Sequence, residues 1–139
     1  MKILPAVIAV LIVMLVYGCG SSGSSGDKSP LAGTEWVLFE MEGVKYEPAS
    51  GKNVTMILDG TAKKMGGKAP CNTYGSVYTK SANKISFGNV FSTEMACAEL
   101  DAESVYYKIL PKVFAYQVSG DKLYFFDSGG MVILRFKAK

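Results

Sequence analysis

Ala115-Tyr116-Gln117-Val118, Ser119-Gly120-Asp121, Lys122-Leu123-Tyr124-Phe125-Phe126-Asp127, Ser128-Gly129-Gly130 and Met131-Val132-Ile133-Leu134-Arg135-Phe136-Lys137 form the stretch whose reading decides the fold. Three β-type runs are separated by two clusters of glycine and small polar residues, the punctuation of successive hairpins. In the last run Val132, Leu134 and Phe136 are expected on one face, with Ile133, Arg135 and Lys137 on the other, because side chains alternate along a strand.

The same grammar extends toward the N-terminus. Trp36-Val37-Leu38-Phe39 reads as a strand, and Val54 to Asp59 as another that stops at the Asp59-Gly60 turn signal. Lys63 to Gly67 is a weaker strand. Tyr74 to Thr79 and Lys84 to Phe87 follow, joined by a polar Lys80-Ser81-Ala82-Asn83 turn. One segment has helical spacing instead: Ala102, Tyr106, Ile109, Leu110 and Val113 recur on one side, with Asp101, Ser104 and Lys108 between them. Asp101 is the expected N-cap, and Pro111 ends the helix near Leu110. The Tyr106-Tyr107 pair can be read as a stacking platform for a ligand, but this spacing favours a core-facing Tyr106 with Tyr107 beside it half exposed. The fold class is therefore mainly β: a small antiparallel, barrel-like sheet of about seven strands, with one α-helix before the last strands.

The chain has 139 residues, no histidine and a formal charge of +3. Without histidine, serine triads, Cys-His dyads and the usual water-activating zinc sites are excluded. Loss of an N-terminal segment carrying Lys2 leaves 14 basic against 12 acidic residues, or +2, and Arg135 is the sole arginine. Bidentate recognition of phosphate or guanine favours arginine, so nucleic acid is not an expected partner. No metal site and no cofactor are expected, and the domain is expected to be a monomer.

The N-terminus reads as an address. Lys2 precedes an apolar run from Ile3 to Tyr17, too short for a membrane span of about 20 residues but suited to a signal peptide. Val16-Tyr17-Gly18-Cys19 resembles a bacterial lipobox, with an aliphatic residue three before the cysteine and a small one just before it. That resemblance implies acylation of Cys19 and removal of residues 1–18. Residues 19–30 then form the lipidated cysteine and a Gly/Ser-rich tether. Its typical span is about 18 Å. Gly20 is not the aspartate that retains some lipoproteins at an inner membrane, which favours an outer membrane facing the periplasm. Asn53-Val54-Thr55 matches a glycosylation sequon and is incidental in a bacterial protein.

With Cys19 assigned to lipid, Cys71 and Cys97 remain, and an oxidising compartment predicts one disulfide between them. A redox or metal role is the alternative; the sequence has no CxxC, and two thiolates without histidine make an incomplete metal site.

Trp36-Val37-Leu38, Cys71-Asn72 followed by Tyr74-Gly75, and Thr93-Glu94-Met95-Ala96-Cys97 together resemble the META domain, also called HslJ-like. Glu103, Leu110, Leu123 and Phe136 fit its closing helix and hairpins. The resemblance spans residues 31–139 and departs at Pro70, where the family tends to have glycine. It implies a small antiparallel barrel with a helix, commonly on exported lipoproteins, and hints at envelope stress. It implies no established catalysis. A non-catalytic binding or accessory role follows, directed at an envelope protein or an apolar ligand. Asn72, Thr93 and Glu94 are candidate binding residues; in turns, Asn72 and Thr93 also serve buried backbone groups. The alternative is an enzyme acting on envelope glycans through two carboxylates from Glu94, Glu99, Asp101 and Glu103, although a solvated acidic loop entering a helix explains that cluster without chemistry.

Overall fold

A computed structural model describes residues 29–139. Its elements are β1 (Trp36–Met41), β2 (Val44–Lys45), β3 (Thr55–Asp59), β4 (Lys64–Lys68), β5 (Thr73–Ser81), β6 (Lys84–Phe87) and β7 (Phe91–Ser92). Then come α1 (Leu100–Ile109), a 3-10 turn over Leu110–Lys112, β8 (Ala115–Ser119), β9 (Lys122–Phe126) and β10 (Val132–Ala138). All pairings are antiparallel, and the order β1-β3-β4-β5-β6-β8-β9-β10 closes into a ring because β10 also pairs with β1. The fold is the mainly β barrel with one helix that the hairpin grammar predicts.

Eight strands of four or more residues correspond to the runs read from sequence, and two short ones were not foreseen. β2 returns along the end of β1 through a tight turn in which Glu42 has φ 45°. β7 continues the line of β6 after a break and pairs with Tyr74 and Gly75 of β5. Neither two-residue strand is long enough to leave a period in the sequence.

Alternation fills the barrel. Trp36 and Leu38 of β1, Met56 and Leu58 of β3, Ile85 and Phe87 of β6, and Leu123 and Phe125 of β9 point inward and are buried. Phe125 meets Phe87 and Phe136 edge-on, with ring centroids 5.5 and 5.8 Å apart, the geometry that aromatic quadrupoles prefer. The Trp36 indole N–H donates to the Leu31 carbonyl at 3.0 Å, so its one polar group is satisfied.

β10 corrects the expected alternation. Val132 pairs with Phe126 but Leu134 pairs with Phe125, so Ile133 is an inserted residue. Such a bulge places an extra residue against one partner and bends the strand. Ile133 is accordingly buried, contrary to its assignment beside Arg135 and Lys137, while its carbonyl accepts from the Glu42 amide at 2.8 Å.

The helix also begins differently. Glu99, not Asp101, stands at the N-cap position, and no side chain caps the helix there. The Glu99 carboxyl instead accepts from the Ser50 amide and hydroxyl at 2.7 and 2.6 Å. Asp101 lies in the first turn, where an acidic group still suits the positive end of the helix dipole. The α-helix stops at Ile109 and Pro111 sits in the 3-10 turn, as the missing proline N–H requires. Tyr106 is fully buried and Tyr107 is half-buried, as the spacing predicts.

Candidate functional site at the disulfide end of the barrel

The link between β4 and β5 brings Ala69, Pro70, Cys71 and Asn72 over one end of the barrel, where α1 covers the opening. The Ala69 amide donates to the Asn72 carbonyl at 2.7 Å. None of these four residues needs a positive φ. Pro70 is therefore accommodated, and the amides that matter belong to the next two residues. The Sγ atoms of Cys71 and Cys97 are bonded, with their Cα atoms 5.5 Å apart.

At the centre lies Glu103, on the inner face of α1 and 1% exposed. Its Oε2 accepts from the amides of Cys71 and Asn72 at 2.8 and 3.1 Å. Its Oε1 accepts from the side-chain amide of Asn72. That same Nδ2 donates to the Met95 carbonyl at 3.0 Å. Asn72 Oδ1 accepts from the Thr93 hydroxyl at 2.8 Å and from the Met95 amide at 2.6 Å. Asn72 thus uses both amide donors and both carbonyl lone pairs within the chain. The Thr93 hydroxyl accepts in turn from the Thr73 amide at 3.2 Å.

The three sequence-predicted residues converge on this end in different states. Asn72 is buried with its polar capacity spent, Thr93 is exposed but committed to Asn72 and Thr73, and Glu94 is exposed on the rim. Glu103 was read from sequence as part of a solvated acidic run and is instead its buried member. Glu94 and Asp101 are exposed. Hydrogen bonds from the Ser50 hydroxyl and amide hold the Glu99 carboxyl below the ordinary glutamate range.

Beside this network lies a cleft of about 300 Å³, walled by Met95, Leu100, Ser104 and Tyr107 with Asn72 and Glu103 at its floor. Tyrosines surround it from within. The Tyr74 hydroxyl donates to the Thr55 carbonyl at 2.7 Å and lies 2.6 Å from the Tyr106 hydroxyl. The Tyr46 hydroxyl is enclosed without a hydrogen-bond partner, and the Tyr107 hydroxyl is enclosed beside Glu103 and Ser92. Burial, reinforced by Glu99 and Glu103, pushes Tyr46 up to about 12. Burial and the neighbouring Glu103 raise Tyr107 likewise. Ser104 carries no sequence signal as a site residue, and Tyr107 enters from sequence only through the less favoured reading of the Tyr106-Tyr107 pair as a stacking platform. Helical spacing places them on the flank between core and solvent.

Chemically, the site can position a segment or ligand against a rigid floor. A carboxylate pair of the glycosidase kind needs one group with a raised pKa. Glu99 is shifted the opposite way. Among the described residues, no group of three or more cysteine, aspartate or glutamate side chains is arranged to hold a metal ion.

The family model of the META domain matches residues 29–139. Among solved structures, an NMR structure of a protein from Burkholderia xenovorans is 25% identical with a TM-score of 0.61, covering 78% of this chain and 83% of that one. A second NMR structure is 16% identical with a TM-score of 0.59, covering 77% and 90%. A crystal structure of a DUF4847 family protein from Bacteroides vulgatus is 11% identical with a TM-score of 0.57, covering 77% and 93%. The last two show likeness of fold alone. No curated protein matches the chain.

Proposed function

This chain belongs to the META-domain family, and from that premise we propose that it is a bacterial envelope lipoprotein whose acylated Cys19 tethers a non-catalytic, partner-binding domain. The observation that carries the reading is the run Val16-Tyr17-Gly18-Cys19, set between a short apolar segment and the Gly20-to-Gly26 glycine/serine stretch. A stretch of that composition has no apolar side chains to bury, which suits a tether. Residues 1–28 lie outside the described residues, so signal peptide, lipidation and tether rest on sequence. Gly20 favours the outer membrane, and an envelope-stress role is the setting the family resemblance suggests.

A partner outside the barrel is favoured over an apolar ligand within it. Support comes from the interior itself: Trp36, Leu123, Phe125 and Phe136 are all fully buried and occupy the space a ligand would need. The non-catalytic reading draws support from the internal commitment of Asn72 and Glu103 and from the lowered Glu99.

The test is metabolic labelling with an alkyne-bearing palmitate, followed by membrane fractionation. Wild type is expected to carry the label and sediment with membranes, and Cys19→Ser to do neither. An unlabelled wild-type chain in the soluble fraction would overturn the anchor.

A further inference from the structure

The ring has a weak seam. β6 and β8 pair through the single register match Lys84↔Ala115. Two backbone bonds flank it, from the Ile85 amide to the Phe114 carbonyl at 3.0 Å and from the Tyr116 amide to the Asn83 carbonyl at 2.9 Å. Beyond Ile85 the two strands part, and α1 with the Leu110–Lys112 turn faces the parted edge across a gap. The chain from Phe87 to Ser92 therefore has β5 on one side and no strand on the other. The Thr93 amide turns toward β5, donating to the Thr73 carbonyl at 3.0 Å. Alternation along an antiparallel strand then turns the Ser92 N–H and C=O the other way, toward α1.

A groove runs between this edge and the helix. The cleft of about 300 Å³ described above adjoins a second depression of about 620 Å³, and the two share Ser92, Ser104 and Tyr107. Glu94 lies in the first and Lys108 in the second. Apolar walls are supplied by Met95 and Leu100 in the first and by Val90 and Pro111 in the second. An open strand edge and opposite charges toward the two ends are the features an extended peptide satisfies, by adding backbone hydrogen bonds to the edge and setting alternate side chains against the walls.

We propose that this groove takes an extended segment of a partner protein, added as a strand along the Phe87–Ser92 edge, with an acidic residue at Lys108 and a basic residue at Glu94. The proposal deepens the partner-binding reading above and rests on it, but not on acylation of Cys19.

The probe is a pair of capped synthetic peptides of alternating valine and threonine, with lysine at one end and glutamate at the other, made in both chain orders. Each is titrated into the ¹⁵N-labelled full chain in detergent micelles. One order is expected to shift the amides of Phe87–Ser92 and Ser104–Lys108 and to slow hydrogen exchange at Ser92 about tenfold or more. Ser104→Trp, which fills the groove, should abolish both effects. Lys108→Glu, at an exposed position that does not threaten folding, should weaken binding about three- to fivefold. Absence of these shifts with both peptides at millimolar concentration, or their persistence in Ser104→Trp, would overturn the proposal. A photo-crosslinking scan of the full chain in its envelope separates the two readings. Crosslinks confined to other faces, such as Val44 and Met131, would overturn the groove and leave partner binding standing. No crosslink at any position would overturn both.

Discussion

At the scale of single residues, Glu103 organises the covered end of the barrel, because three donors from the β4–β5 link meet its two oxygens. Removing the acceptor strands those donors in a buried place, and each unsatisfied group costs about 1–3 kcal/mol. Glu103→Ala is therefore expected to destabilise the chain by about 3–5 kcal/mol, and Glu103→Gln, which keeps one acceptor, by about 2 kcal/mol. Urea unfolding checks both; a Glu103→Ala midpoint close to wild type would refute the assignment. The sequence could not reveal this role. A glutamate among Glu94, Glu99 and Asp101 reads as one more surface charge, and only the helix register, which places it three residues before Tyr106, turns it inward. Asn72 was legible as a turn residue that serves backbone groups, which two of its four hydrogen bonds do, to the Met95 amide and carbonyl; the bonds to Glu103 and Thr93 were not legible.

The tyrosines carry the pH dependence. Tyr46 is raised from 10.0 to about 12, and Tyr74, Tyr106 and Tyr107 are raised as well, in each case foremost by burial. A folded-state pKa above the unfolded one means that the folded chain holds more protons in that window. Stability is then full below pH 10 and falls as pH rises through the folded values. Absorbance of phenolate at 295 nm should show these four tyrosines ionising together with alkaline unfolding. Their ionisation near pH 10 in a chain still folded by circular dichroism would contradict the burial.

Among the elements, the exposed segment from Phe91 to Leu100 is held to the β4–β5 link by the Cys71–Cys97 bond across a separation of 26 residues. On the chain-entropy model that bond contributes about 3.5 kcal/mol. Reduction, or Cys71→Ser with Cys97→Ser, is expected to lower stability by about that amount, read as a shift in thermal midpoint. An unchanged midpoint would show that the segment is fixed by other contacts. The pairing was legible from counting cysteines, with Cys19 set aside for the proposed lipid. The hairpins of β8, β9 and β10 were legible from turn residues. The bulge at Ile133 was not, since an unbroken apolar run gives no sign of which residue is extra, and β7 was hidden because Phe91-Ser92 is too short to show a period.

Close strand contacts offer a sharper test of the register. A Cβ on Gly67 would lie 1.8 Å from the Thr55 carbonyl oxygen, a backbone atom, whereas one on Gly75 would meet the movable Phe91 ring at 2.7 Å. Gly67→Ala is expected to cost about 2 kcal/mol or more, and clearly more than Gly75→Ala. Equal effects in urea unfolding would contradict the β3–β4 geometry.

For the molecule as a whole, the ring closes around buried aromatic and aliphatic side chains, and the proposed recognition is placed on its outside. The helix faces the Phe87–Ser92 edge across a gap, which leaves that edge beside a groove. Barrel closure and the single helix were legible from the sequence. The groove was not, because it depends on where β6 and β8 diverge, and no local pattern records a missing pairing. The address at Cys19 and the folded domain describe one object only if the mature chain is acylated and its barrel carries no internal cargo. The most direct measurement is native mass spectrometry of the full-length gene product extracted from the envelope in mild detergent. The expected result is a chain beginning at Cys19, bearing the mass of its acyl groups, with any additional mass being a protein partner lost on denaturation. An unacylated chain, or a small apolar molecule released only when the barrel unfolds, would contradict it.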